Sequence, residues 1–562
     1  MTTRITFRPR FCGAVVKEAR ATVAAGRVVE RIRRKDHTLW KPVPEGIANR
    51  LGWLDSPRAM QERLPEIEGF IDGVLADGFD FALLLGMGGS SLAPEVFRKV
   101  FGVADGFLDL AVLDSTDPGA VLAFAERLDL DRTLFIVSTK SGGTVETVSF
   151  MKYFYNMVAE KFGEAAAGKH FAAITDSGSA LAEIARERHF RHTFLNDPEI
   201  GGRYSALSFF GLVPAALIGM DLDCLLERAA DAAAVEFADE RESVSGTVLG
   251  AMLGQFATQE RDKLTFCFSH GLAVFGDWAE QLIAESTGKE GEGILPVVGE
   301  ELGPPDVYGE DRIFCAIRIS GDTTGEEQLK ALAEAGHPVI DIELTDPYDL
   351  GGQCFFWEMA AAAACWRLAV NPFDQPNVEA AKLLARKIIS EYPEKGSMPP
   401  EKPFLMVPGI SVYGTLAAET LDVVLPMFLL QAKPDAYVAL QAYVAPSPEV
   451  DEALHRLRMR IRDHLYLAAT AGYGPRFLHS TGQLHKGDAG RGLFIQITAD
   501  DPRDAPIPDE IGRPESAITF GVLKQAQAFA DRQALLDAGR SAIRIHLHKD
   551  AAGGLARLTA VL

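Results

Sequence analysis

From about residue 60, short apolar runs alternate with stretches whose apolar residues recur at helical spacing. FALLLG (81–86) leads into APEVFRKVFG, LDLAVLDS into PGAVLAFAERL, TLFIVST into VSFMKYFYNMV, and HFAAITDS into SALAEIARER. Strands that are apolar throughout, each followed by an amphipathic helix, predict a parallel sheet covered on both faces. A mainly helical stretch (207–258) interrupts the rhythm. It returns with KLTFCFS (263–269) before AVFGDWAEQLIAES, and with the strand patterns RIFCAIRIS and PVIDIEL. The proline-rich EYPEKGSMPPEKPFLMVPG (391–409) reads as a linker or long loop. Beyond it come AYVALQAYV, the charged helix VDEALHRLRMRIRDHL, RGLFIQIT and SAIRIHLH. These form either a separate lobe or more of the second sheet.

The pattern therefore predicts an α/β chain: an N-terminal arm (1–55) with a basic helix VVERIRRK, two doubly wound domains with mainly parallel sheets (56–235 and 236–392), and a C-terminal αβ segment (393–562). A length of 562 residues, with 47% hydrophobic and 24% charged positions, suits two or three ordinary globular cores. The formal charge of −22 (56 basic against 78 acidic residues) argues against a general nucleic-acid or anionic-membrane surface. The six cysteines (Cys12, Cys224, Cys267, Cys315, Cys354 and Cys365) have no zinc-like or redox-motif spacing, which points to buried thiols in a reducing compartment. The first residues lack a signal-peptide pattern, and EMAAAAACWRLAV, interrupted by Arg367, is too short to span a bilayer. The expectation is a soluble, cytoplasmic protein.

Five stretches carry chemistry. GMGGSS (86–91) and STKSGGTVET (138–147) each follow a strand, where open parallel sheets hold ligands. Gly89 lets the backbone approach an anion; Ser90, Thr139, Ser141 and Thr144 add neutral donors, and Lys140 a charge. The composition is that of a phosphate pocket, without the spacing of a Walker loop or a dinucleotide turn. Ordinary N-caps are the alternative. GGRYS (201–205) offers Arg203 on a close-approach backbone beside Gly202, suited to a developing oxyanion. AESTGKEGEG (284–293) places Glu285 near a helix C-terminus, where the dipole favours a raised carboxyl pKa fit for a general base, with Gln281 one turn before it. NPFDQPNVEAAK (371–382) ends in Lys382, on one helical face with Glu379. Taken singly, Arg203, Glu285 and Lys382 also fit surface salt bridges or solvated helix ends.

Together and in this order, the five stretches resemble the glucose-6-phosphate isomerase family, whose chains hold two sugar-isomerase (SIS) type domains. The resemblance covers roughly residues 80 to 390. Through GYGPRFLHSTGQLHKG (472–487) it extends to the isomerase half of fused transaldolase–isomerases; the short arm leaves no room for a transaldolase barrel of roughly 250 residues. The resemblance implies interconversion of glucose 6-phosphate and fructose 6-phosphate through an enediolate, with no metal or redox cofactor. Glu285 would move the proton and Arg203 stabilise the enediolate. Gly89, Ser90, Thr139, Lys140, Ser141, Thr144 and Gly202 would hold the substrate, with Gln281 lining the pocket. Lys382 and a histidine would assist ring opening. The partner is then a small sugar phosphate, and the family pattern implies a homodimer.

Two departures stand out. Asn377 replaces a family glycine. No histidine sits at the family position between Glu285 and Lys382, where Cys354 falls instead and His337 has the wrong surroundings. His485 is the expected replacement, with His479 the second choice. A dual glucose/mannose 6-phosphate isomerase, or a non-catalytic sugar-phosphate sensor using only the two phosphate turns, are the other readings.

Overall fold

The computed structural model describes residues 4–8, 10–238 and 245–562. Three sheets carry the fold. The first is parallel throughout, in the order Asp109–Leu113, Phe81–Gly86, Thr133–Ser138, Phe171–Asp176, His192–Asn196. Its first strand in the chain, Phe81–Gly86, has the second strand on one side and the third on the other. The chain thus reverses direction across the sheet between Phe81–Gly86 and Thr133–Ser138, and both glycine- and hydroxyl-rich turns leave from this point.

The second sheet runs Arg4–Arg8, Val339–Leu344, Arg312–Ile319, Lys263–Phe268, Leu295–Val297. Four strands are parallel, and Arg4–Arg8 adds an antiparallel edge against Val339–Leu344. The N-terminal residues are thus partly built into this sheet. The Cys12 side chain lies outside the described residues; the other five cysteines are free thiols, with Cys315, Cys354 and Cys365 buried. The helices Gly246–Ala257, Phe275–Thr287 and Asp349–Arg367 pack together in one core that the first two sheets share. Among the described residues no helix is long and apolar enough to cross a membrane.

The C-terminal residues form a third, separate sheet: Leu405–Val407, Ile410–Tyr413, Ser541–His546, Gly492–Thr498, Tyr437–Tyr443, Ala468–Tyr473. Its last four strands are mutually parallel. The proline-rich stretch before it is less open than expected: the helix Glu379–Lys395 runs through Pro393, and Leu405–Val407 is already a strand.

This lobe docks on the first one through the helix Phe520–Asp537. Phe520 stacks on Phe150 of the helix Val145–Phe162 with ring centroids 5.8 Å apart, and Leu523 joins the first lobe's core. Lys524, buried on the same helix, donates to Asp117 at 2.8 Å and also to Asp501. Removing one side of a buried charge pair leaves the other unpaired in a poorly solvating place. Lys524→Ala is therefore expected to lower the unfolding free energy by about 3–5 kcal/mol, read as a fall in the urea midpoint. A loss below about 1 kcal/mol, the range of exposed pairs, would show that the pair does not hold the lobe.

Candidate active site

The two turns at the switch point of the first sheet are held by their neighbours rather than by helix capping. Neither Ser91 nor Thr144, the residues at the two helix starts, caps with its side chain. The Ser91 hydroxyl donates to the Gly88 carbonyl at 3.1 Å, and the Thr144 hydroxyl lies 3.0 Å from that of Thr139. Gly88 has φ +55°, and a Cβ there would lie 2.9 Å from Gln281 Nε2 and 3.0 Å from His479 Cβ. A Cβ at Gly89 would run into the Gly202 carbonyl. Only glycine permits this approach, so the first turn meets GGRYS, the Gln281 helix and the C-terminal lobe at one place. Ser90 is buried in that turn, its carbonyl accepting from Ser138 Oγ at 3.1 Å.

Glu285 and Gln281 lie on the helix Phe275–Thr287, four residues apart and on one face. Gln281 Nε2 donates to Glu285 Oε2 at 3.2 Å and to the His479 carbonyl at 2.6 Å. Arg203 Nε stands 3.7 Å from Glu285 Oε2. Arg203 Nη2 donates to the Phe373 and Asp374 carbonyls at 3.2 and 3.1 Å and to Gln375 Oε1 at 2.7 Å, while Nη1 is buried without a protein partner. A guanidinium 4% exposed with one idle nitrogen is a donor held in reserve beside the carboxylate. Lys289 anchors the same loop, donating to the Asn371 carbonyl at 2.7 Å and to Asp374 Oδ1 at 2.9 Å; burial, then the charge of Arg203, lowers its pKa.

Next to this cluster is a cavity. Ser141, Gly143, Thr144 and Glu146 line one wall, Lys382 and Arg386 of the helix Glu379–Lys395 another, and His479, Lys486 and Gln527 of the C-terminal lobe a third. His479 joins cavity and cluster: its carbonyl holds Gln281, and its Nε2 lies 3.0 Å from Glu146 Oε1. Glu146 is buried and also accepts from Gln527 Nε2 at 2.7 Å. Burial would raise its pKa, but the charge and hydrogen bond of His479, with the charge of Lys382, hold it below the usual carboxylate range. The His479 segment is itself clamped: Arg476 Nε donates to Asp114 Oδ2 at 2.7 Å, and Ser480 Oγ to Glu280 Oε1 at 3.4 Å.

Of the expected residues, Glu285, Arg203, Gln281, Gly89 and Gly202 come together around the first turn, and Ser141, Thr144 and Lys382 around the cavity, with Thr139 bonded to Thr144. Two expected residues lie away from the cavity. Lys140 turns away: its Nζ binds Asp176 at the end of a neighbouring strand and the Pro198 carbonyl at 2.8 Å, and it does not line the cavity. His485 lies in a helical turn, Gly482–Gly487. Only 2% exposed, its ring packs on Phe494 at 5.0 Å and on Tyr437 and Phe477, with Nδ1 3.4 Å from Gln441 Nε2. Burial drives its pKa well below the ordinary imidazole value. The histidine at the cavity is His479. His337 is buried against Tyr308 and Phe314, and Cys354 sits in the core. The sequence reading missed Gly88, Glu146, Lys289 and Gln527. The first three lie inside the stretches already singled out; Gln527 sits in an unremarkable helix.

The family model that matches, Phosphoglucose isomerase, covers residues 65–298. A glucose-6-phosphate isomerase of Thermus thermophilus is 29% identical over 390 residues, 60% of this chain and 89% of that relative. The crystal structure of a hypothetical protein from Thermus thermophilus superposes with a TM-score of 0.58 at 27% identity, over 68% of this chain and 99% of that one. A glucose-6-phosphate isomerase from Chlamydia trachomatis shares the fold, with a TM-score of 0.57 at 20% identity over 68% and 87% of the two chains. Over residues 65–298 the chain is similar to the phosphoglucose isomerases. The relatives are covered almost in full, and over a third of this chain lies outside the sequence match.

Glu280 precedes Gln281 and touches the His479 segment. Burial, reinforced by the charge of Asp277, pushes its pKa up to about 8. An unfolded chain releases this proton near 4.5 while the folded chain keeps it to about 8, so the group costs stability progressively between those values. Glu280→Gln is expected to be neutral at low pH and increasingly stabilising relative to wild type from pH 4.5 to about 8, then level. Urea unfolding at several pH values reads this; a difference independent of pH would refute the assignment.

Proposed function

We propose that this protein interconverts glucose 6-phosphate and fructose 6-phosphate, a specific case of the sugar-phosphate isomerisation to which its relatives point. The observation that carries the reading is the Glu285 carboxylate, held by Gln281 at 3.2 Å and facing Arg203 at 3.7 Å, with one Arg203 nitrogen buried and unpaired. A carboxylate beside an idle guanidinium donor is what a proton transfer through an enediolate requires: a base to carry the proton between carbons 1 and 2, and a cation to take up the charge that develops on the oxygens. The substrate's carbonyl acidifies the proton, so the chemistry needs no electron acceptor.

Ser141 and Thr144, backed by Thr139 and Ser90, hold the phosphate through hydroxyls and backbone amides at the start of the helix Val145–Phe162. Lys382 and His479 stand on facing walls of the same cavity and act in ring opening. The His479–Glu146 contact sets the orientation of the imidazole, as an acceptor does for a general acid–base histidine. His479 comes from the chain's own C-terminal lobe, so its supply to the site does not depend on a partner. We also propose a homodimer, as the resemblance implies; light scattering should give twice the chain mass, and a monomer mass would refute it.

The test is coupled turnover of fructose 6-phosphate, with mannose 6-phosphate assayed in parallel. Glu285→Gln is expected to lower kcat by about 10²–10⁴-fold, the usual contribution of a general base. His479→Ala should slow the cyclic substrate more than an open-chain one, whereas His485→Ala should leave that ratio as in wild type. Binding of fructose 6-phosphate without turnover would replace the enzyme with a sensor. Comparable turnover of mannose 6-phosphate would widen the substrate range.

A further inference from the structure

The third sheet has a site of its own. Tyr437–Tyr443 comes first in the chain among its parallel strands; Ala468–Tyr473 pairs on one side of it and Gly492–Thr498 on the other. The chain therefore reverses direction here as it does in the first sheet, and ligands of open α/β sheets collect beyond the carboxyl ends of strands at such points. A cavity of about 610 Å³ lies there. Tyr443, Thr498 and His546, the last residues of three neighbouring strands, line it, together with Asp500.

At its rim Asp500, His546 and His548 converge, with one donor atom from each within 4.8 Å of the others. His546 Nε2 lies 3.0 Å from Asp500 Oδ1, and His548 Nδ1 lies 3.6 Å from Asp500 Oδ2. The two rings approach different oxygens of Asp500, and an ion at the about 2.0–2.2 Å that zinc makes to imidazole and carboxylate would sit among the three groups after small side-chain adjustment. The far nitrogen of each ring is occupied. His546 Nδ1 is 3.0 Å from Thr498 Oγ1, and His548 Nε2 is 3.0 Å from Ser411 Oγ. In a metal site the distal N–H is bound in this way, which fixes the tautomer and aims the free lone pair at the ion.

We propose that Asp500, His546 and His548 form a binding site for a zinc-like divalent transition-metal ion, separate from the sugar-phosphate site. Two imidazoles and one carboxylate match Zn²⁺, Co²⁺ or Ni²⁺ rather than the all-oxygen sets of Mg²⁺ and Ca²⁺. His546 and Asp500 line the cavity, so the fourth position opens toward it. In the metal-free protein the carboxylate accepts a proton from His546 Nε2; ion binding frees that nitrogen, releasing its proton or shifting the ring to the tautomer whose proton faces Thr498, so uptake of the ion depends on pH. Neither Glu285 nor Arg203 takes part.

The experiment uses the full chain, stripped with a chelator and titrated with Co²⁺, whose visible absorption reports coordination, and with Zn²⁺ by calorimetry. The expected result is one ion per chain and low-coordinate Co²⁺ bands. Loss of both is expected in His546→Ala, His548→Ala and Asp500→Asn. Thr498→Val should weaken binding by about 10–100-fold, the usual effect of removing a partner of a liganding histidine. Metal-free melting curves identify any variant that fails to fold, and Glu285→Gln should bind the ion as wild type does. Absence of stoichiometric uptake, or folded ligand variants that bind as wild type, would overturn the proposal.

Discussion

One amide nitrogen sets the geometry of the candidate site. Gln281 Nε2 donates both to the Glu285 carboxylate and to the His479 carbonyl, so rotating the amide by half a turn would point oxygen at two acceptors. Its carrier helix belongs to the second lobe, His479 to the C-terminal lobe, and the Gly88 backbone that closes over the same nitrogen to the first. The three lobes are thus referenced to one another within hydrogen-bond length of the proposed base.

Around that point the lobes are joined mainly by cations of the C-terminal lobe. Lys524 reaches Asp117, Arg476 reaches Asp114, Arg458 donates to the Val298 carbonyl at 2.6 Å, and Arg462 to the Glu301 carbonyl. In a chain with a net charge of −22, buried cations find acceptors readily, and each such bond fixes a direction that apolar packing alone would leave loose. The apolar contacts, such as Phe520 on Phe150, supply area; the cations supply register.

What the sequence made legible follows from how local each signal is. FALLLG and TLFIVS each carry an unbroken run of apolar residues because both faces of the first sheet are covered, and the runs stand out for that reason. HTFLN (192–196) escaped because it is a short edge strand of mixed polarity, and LPV (295–297) because it is only three residues long with a proline at its centre. AATAGY (468–473) escaped because small residues carry little strand preference. At the site, the glycines, Arg203, Glu285 and Lys382 could be read from their motifs. Choosing between His479 and His485 could not be done locally. It depends on Tyr437 and Phe494, strand residues that wall in His485, and on Gln281, almost two hundred residues before His479. Lys140 failed for the same reason, since its acceptor Asp176 lies on another strand.

The pairing of the third sheet has a consequence for the order in which the molecule comes into being. Gly492–Thr498 is flanked by Tyr437–Tyr443 and by Ser541–His546, and Ile410–Tyr413 also waits for Ser541–His546. His479 stands in a lobe whose sheet is complete only with its last strand, Ser541–His546, whereas Glu285 and Arg203 stand in lobes whose sheets are closed by strands much earlier in the chain. Long-range pairings of this kind are slow to form. The proposed site thus joins lobes whose closing strands, Val339–Leu344 and Ser541–His546, lie far apart in the chain.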